Sequence, residues 1–242
     1  MRTISISVFV VAASVLVPAV ASAQMTWTDK GYVTINGGGQ AGSHTLTMQP
    51  GFTLYDEDST LTSTQKTGGG PFIDLGGGYK VWENLVVALS YSHVGGDNDA
   101  AIAAQVPDPI QFDHPRAVTT SLSGAKYSEN AVHISAVWMV PVTDKIDVGI
   151  AAGPTIFSVR QDVASGLTVT EPGPTVTSVT SSKVKKTTGG FHTGVDVTYL
   201  LTKKVGAGLL ARYTFGSVDL PGASDSLTVG GFQLGVGLRY RF

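Results

Sequence analysis

The chain has no cysteine, so disulfides and thiolate metal sites are both excluded. It is also poor in charge: Asp, Glu, Lys and Arg make up 14% of its 242 residues, against about 25% in ordinary soluble domains. The formal net charge is −2, which leaves no basic footprint for nucleic acid. After the N-terminal stretch, no window holds the 18 consecutive apolar residues of a membrane helix. What the chain has instead is glycine, 30 residues of it, and long runs in which apolar and small or polar residues alternate.

The N-terminus reads as an export leader. Arg2 supplies the positive end, Ile4 to Val17 is largely apolar, and Ala21-Ser22-Ala23 is a small-residue cleavage site. The run is short and broken by Pro18, which argues against a retained anchor. Residues 1–23 are therefore expected to be a cleaved signal peptide, and 24–242 to form one β-barrel domain.

The clearest alternation is in the last stretch. One face carries Phe232, Leu234, Val236, Leu238, Tyr240 and Phe242; the other carries Gly231, Gln233, Gly235, Gly237, Arg239 and Arg241. A period of two over this length is a strand. The unbroken apolar stripe would aggregate on an exposed edge of a soluble sheet. It suits a strand with lipid outside and a crowded polar lumen inside.

Seven more such strands precede it, near Gly31–Gln40, Pro71–Val81, Val87–Ser92, Asn130–Val142, Ile146–Val159, Phe191–Leu201 and Val205–Thr214. Tight turns at Trp82-Glu83-Asn84, Thr143-Asp144-Lys145 and Thr202-Lys203-Lys204 alternate with longer connections. Three of these, around Gln49–Gly69, Gly95–Tyr127 and Ala164–Lys186, are read as long polar loops. The pattern predicts an all-β fold, an eight-stranded antiparallel up-and-down transmembrane β-barrel, with both termini on the short-turn side. Aromatics fall near both ends of the strands, at Tyr79, Trp82, Tyr199, Tyr240 and Phe242 on one side and Tyr91, Tyr213 and Phe215 on the other. A soluble eight-stranded barrel would have to turn its glycine and alanine face outward and crowd the aromatics inside, which fails on sterics.

With this strand count, the glycine-rich strands Ile35-Asn36-Gly37-Gly38-Gly39 and Leu75-Gly76-Gly77-Gly78-Tyr79, and the terminal Phe242, the sequence resembles the small outer-membrane β-barrel family typified by the OmpA transmembrane domain, opacity proteins and OmpW-like barrels. The resemblance implies a Gram-negative outer membrane with both termini periplasmic. Its implied partners are lipopolysaccharide and other outer-membrane lipid, the barrel-assembly machinery reading the strand that ends in Phe242, and an extracellular ligand or host surface met by the loops. It implies no cofactor and no enzyme activity. The function expected is a closed structural or surface-interaction barrel displaying four external loops. An OmpW-like channel for small or hydrophobic solutes is the alternative.

The residues offer little chemistry against that reading. His133-Ile134-Ser135 resembles the His and Ser pair of outer-membrane lipid A deacylases, a remote hydrolase alternative. Both side chains, and the nearest carboxylate Glu129, point by parity into the lumen, whereas a lipid substrate lies outside. The five histidines are dispersed, and only His133 and His192 share the lumen. Asp56-Glu57-Asp58 is a solvated loop run that can attract divalent cations, and the Gly triplets lack the Lys-Ser or Lys-Thr of a phosphate loop. Parity also points Asp74, Asp147, Asp196, Arg212 and Arg239 inward, together with Arg241. These charges are expected to form a cluster that plugs the barrel, with Asp196 and Arg212 as near neighbours across one hairpin.

Overall fold

The computed structural model describes residues 26–42 and 44–242. The leader expected at residues 1–23 lies outside the described residues. Eleven strands follow: β1 Gly31–Ala41, β2 His44–Met48, β3 Gly51–Leu54, β4 Glu57–Thr67, β5 Gly70–Trp82, β6 Leu85–Val106, β7 Arg116–Thr143, β8 Ile146–Thr170, β9 Thr175–Leu200, β10 Val205–Val218 and β11 Leu227–Arg241. Eight of them close a ring in the order β1, β5, β6, β7, β8, β9, β10, β11, and each pairs antiparallel with the next. The seam is the β1–β11 ladder, running from Tyr32 opposite Arg241 to Ala41 opposite Phe232. Closure pairs every barrel strand on both sides and leaves no edge, the condition for a sheet in lipid.

Two of the tight turns are built alike. Thr143 Oγ1 accepts from the Lys145 and Ile146 N–H groups at 3.2 and 3.0 Å, and Thr202 Oγ1 accepts from Lys204 and Val205 at 3.3 and 3.0 Å. A threonine hydroxyl thus holds the turn that the sequence T-D-K or T-K-K marks.

Burial is inverted relative to a soluble protein. Leu75, Leu89, Ile150, Val236 and Leu238 are each about half exposed or more, while Asp74, His133, Gln233 and Arg239 are buried. Aromatics rim this apolar band. Tyr79, Trp82, Trp138, Tyr199, Tyr240 and Phe242 stand at the short-turn end, and Tyr91, Phe191, Tyr213, Phe215 and Phe232 at the other, all exposed. Tyr199 and Phe191 on β9 are eight residues apart, about 26 Å along a strand, which fits a tilted crossing of the band in outer-membrane barrels.

The long connections differ from the sequence reading. Most of Gly95–Tyr127 and Ala164–Lys186 is strand, because β6, β7, β8 and β9 run far past the aromatic rim, and β3 and β4 fill the 49–69 segment, with β2 just before it. Their Thr and Val content is strand-forming. Parity hid it: β7 takes an extra residue where Asn98 faces Ala125 but Ala100 faces Leu122. Gly124, at φ +67°, sits in that bulge, and its N–H donates to Asp99 Oδ1 at 3.1 Å.

Past the rim the burial pattern reverts to that of a soluble protein. Leu61, Ile102, Val106, Val118, Leu167 and Val169 are buried together, and a second group including Leu46, Met48, Tyr127, Phe157, Val159 and Val229 lies just below them. One strand such as β7 therefore carries two codes: apolar outward and polar inward in the barrel, the reverse above it.

Candidate functional site: the charged lumen

The barrel segments project Asp74 from β5, Arg212 from β10, and Gln233, Arg239 and Arg241 from β11 into one interior. Arg212 is bound on three sides. Its Nη2 meets Asp74 Oδ2 at 2.9 Å, its Nε donates to Gln233 Oε1 at 2.7 Å, and its Nη1 donates to Ser90 Oγ at 3.2 Å. Asp74 also accepts from Asn36 Nδ2 at 2.9 Å, and Gln233 donates to Gln40 Oε1 at 2.7 Å. This tier ties β1, β5, β6, β10 and β11 across the lumen.

A second tier lies toward the short turns. Arg239 ion-pairs with Asp196, which also accepts from Thr198 Oγ1 at 3.1 Å. Arg241 pairs with Asp147 and lies 3.6 Å from Asp29. The five expected residues thus form two separate pairs and a third with Arg241. Asp196 is one diagonal step from Arg212, since it faces Leu210. The two are the near neighbours expected from the hairpin but do not pair: Arg212 is taken by Asp74, Gln233 and Ser90, and Asp196 by Arg239 on the next strand. Buried opposite charges gain from pairing chiefly by avoiding an uncompensated charge in a low dielectric.

Two glycines leave room for this packing. A Cβ on Gly208 would lie 2.5 Å from Arg239 Cζ, and one on Gly235 would lie 2.7 Å from Phe72 Cζ. Gly208 lets the Arg239 guanidinium lie flat on the wall, and Gly235 lets the buried Phe72 ring fill the lumen.

A hydroxyl–imidazole chain runs beside Arg212. Ser92 Oγ and His133 Nε2 are 2.9 Å apart, His133 Nδ1 and Thr155 Oγ1 2.9 Å, Thr155 Oγ1 and His192 Nδ1 2.9 Å, and Ser135 Oγ and His192 Nε2 2.8 Å. Within the His-x-Ser motif the two side chains thus take different partners. His133 contacts Ser92 and Thr155, while Ser135 contacts His192. Glu129 is likewise occupied elsewhere, accepting from Tyr127 Oη at 2.6 Å and from the Gly230 N–H at 3.0 Å.

Between the tiers is a cavity of about 80 Å³, reached by Tyr32, Ser135, His192, Asp196, Arg212 and Arg239. Its short-turn end is covered by Trp27, a residue that strand parity could not find because it precedes β1. Trp27 is buried against Tyr32, Val86, Ala88 and Met139, and Arg241 and Lys80 each lie 5.9 Å from its ring centre. Its backbone N–H donates to Asn84 Oδ1 at 2.8 Å, and its backbone carbonyl accepts from Lys80 Nζ at 2.7 Å. The opposite end of the lumen is covered by the apolar groups around Phe157 and Val229.

The model of the outer membrane protein beta-barrel domain matches residues 9–242. The chain belongs to this family. Membership places the protein in the outer membrane. Solved barrels resembling this family member include Neisserial surface protein A, 14% identical over 88% of this chain and 97% of that one, with a TM-score of 0.45. Others are the N-terminal barrel of Pseudomonas aeruginosa OprF, 12% identical over 89% and 100%, TM-score 0.39, and the Escherichia coli outer membrane protease OmpT, 10% identical over 90% and 98%, TM-score 0.45. No curated protein sequence matches the chain.

Proposed function

We propose that this outer-membrane barrel is a closed, non-enzymatic scaffold that displays the β2–β4 sheet and the β6–β7 and β8–β9 hairpins outside the cell. The observation that carries the reading is the interlocked lumen: the Arg212–Asp74, Arg239–Asp196 and Arg241–Asp147 pairs bridge the wall, with Trp27 below and an apolar core above. An eight-stranded barrel has room only for side chains or one small ligand, and here side chains occupy it. The ring nitrogens of both lumenal histidines meet hydroxyl groups rather than a carboxylate, and Ser135 is turned away from lipid, which disfavours a lipid hydrolase.

In the proposed orientation the short turns and both termini are periplasmic. Arg160 and Lys185 face each other across β8 and β9, exposed beyond the rim residue Phe191. Like charges placed opposite each other are unfavourable alone, and lipopolysaccharide phosphates would relieve them. Assembly machinery would read β11 through the outward stripe ending in Phe242.

Chymotrypsin added to whole cells tests the display. It should cut at Phe112, on the β6–β7 tip and 81% exposed, and leave Trp82 beside the first short turn intact. Cleavage at Trp82 with Phe112 spared would reverse the orientation.

A further inference from the structure

The β6–β7 tip carries two apolar side chains that nothing among the described residues covers: Ile110 is 90% exposed and Phe112 is 81% exposed. They do not serve the lipid belt. From Tyr91 at the rim to Val106 at the top of β6 is about 50 Å of extended strand, so they stand well clear of the membrane. Nor is the tip slack. Asp108 Oδ1 accepts from the Ile110 and Gln111 N–H groups at 2.9 and 3.2 Å, and the Asp108 N–H donates to the His114 carbonyl at 3.2 Å. The Asp113 N–H donates to Glu57 Oε2 at 3.2 Å, which fastens the tip to the β3–β4 turn. Arg116 grips Glu171 at the β8–β9 tip with two hydrogen bonds, at 2.6 and 2.9 Å, and Tyr55 Oη donates to the same carboxylate at 3.4 Å. Three tips are thus held as one platform with an apolar pair projecting from it.

The charge around that pair is of one sign. Asp56, Glu57, Asp58, Asp108 and Asp113 belong to the two tips, and the one arginine among them, Arg116, is engaged by Glu171 and Asp108. An anionic membrane surface would be repelled. A second copy of the same tip would be repelled as well. A cationic surface with an apolar recess complements both features, and the fixed tip lowers the ordering cost of binding. We propose that Ile110 and Phe112, within their acidic rim, are a docking site for a basic protein or peptide that offers an apolar contact. The proposal deepens the display reading and rests on it.

The test uses the full chain in phosphatidylcholine nanodiscs and three probes: an amphipathic lysine–leucine peptide, a lysine homopolymer of equal charge, and phosphatidylcholine vesicles. The amphipathic peptide should bind at least about tenfold tighter than the homopolymer, a lower bound on the gain from burying two exposed apolar side chains once the costs of ordering the partners are set against it. Ile110→Ser/Phe112→Ser should remove that difference, and Asp56→Asn/Asp58→Asn should weaken both peptides and flatten their salt dependence. Unchanged heat-modifiable migration of each variant shows that the barrel is intact. Equal binding of the two peptides, or peptide binding indifferent to the serine variant, would overturn the proposal. Vesicle binding that depends on Phe112 would overturn it too, in favour of a membrane partner. Because the tip lies outside the lumen, these outcomes are independent of whether the barrel conducts, so a failure of the closed-scaffold reading is recognised separately.

Discussion

Arg212 on β10 reaches across the barrel to Asp74 on β5, 2.9 Å between Nη2 and Oδ2, although 138 residues separate them in sequence. Both side chains are almost wholly buried. Removing one member of such a pair leaves a charge without compensation, at a cost of about 3–5 kcal/mol. Asp74→Ala should therefore lower the urea unfolding midpoint, with a cost near 3 kcal/mol because Gln233 and Ser90 still hold the guanidinium. Arg212→Ala in that background should add little. Simple additivity of the two substitutions would show that the pair is not coupled.

Gly208 is expected to be intolerant for a specific reason. A Cβ there meets the Arg239 guanidinium at 2.5–2.7 Å, so Gly208→Ala should push Arg239 off Asp196 and cost about 1–3 kcal/mol. The same substitution in an Arg239→Ala background should be nearly neutral. An equal loss in both backgrounds, read from urea midpoints, would mean that a clash elsewhere on the wall and not the guanidinium is responsible, since backbone entropy alone favours Ala over Gly.

Trp27 can be separated from the two other tryptophans by where its ring lies. Trp82 and Trp138 are exposed toward lipid at 66% and 42%, whereas Trp27 is buried at 2%. In vesicles of brominated lipid, fluorescence from the outward pair should be quenched and a residual emission should remain. Trp27→Phe should abolish that residue. Complete quenching of the unsubstituted protein would place Trp27 outside the lumen.

The Arg116 latch should respond to acid. Hydrogen bonds from Arg116 hold the Glu171 carboxyl below its ordinary value, and the Ile110 and Gln111 N–H groups, with Arg116, do the same for Asp108. A depressed carboxyl contributes stability that is present above the unfolded value of about 4 and lost as pH falls through the folded one. As pH falls below about 4 the three tips should come apart while the barrel persists. The protection factors of the Ile110 and Gln111 amides, taken against the intrinsic exchange rate at each pH, should fall on acidification in the unsubstituted protein, and Glu171→Gln should lower them already at pH 7. Acid-insensitive protection at both amides would argue against the latch.

The sequence disclosed the barrel strands because lipid imposes a strict code: every second residue from Phe232 to Phe242 must be apolar. The same code yielded which charges face inward, since parity alone settles it for Asp74, Arg212 and Arg239. It could not settle who pairs with whom. Asp196 belongs to Arg239 and Asp74 to Arg212, a fact of tilt and stagger that lies beyond any one strand's pattern. The strand extensions were illegible as strands because their code reverses above the rim and slips at Gly124. Trp27 was illegible for a simpler reason: it belongs to no strand, and only the closed mouth of the barrel gives it a place. Signals for the tip were present in Pro107-Asp-Pro-Ile-Gln-Phe-Asp-His-Pro115, whose two apolar residues sit among turn formers, but their exposure required the fold.

Whether paired charges close the lumen is read by single-channel recording of the purified chain in planar bilayers. The unsubstituted protein should show no steady conductance, and brief, low-amplitude openings should come from Asp74→Ala and from the Asp74→Ala/Trp27→Ala double variant, in which one tier and the cover over the short-turn end are both removed. Large, continuous conductance from the unsubstituted protein, left unchanged by these substitutions, would contradict closure by the paired charges and make the barrel a channel.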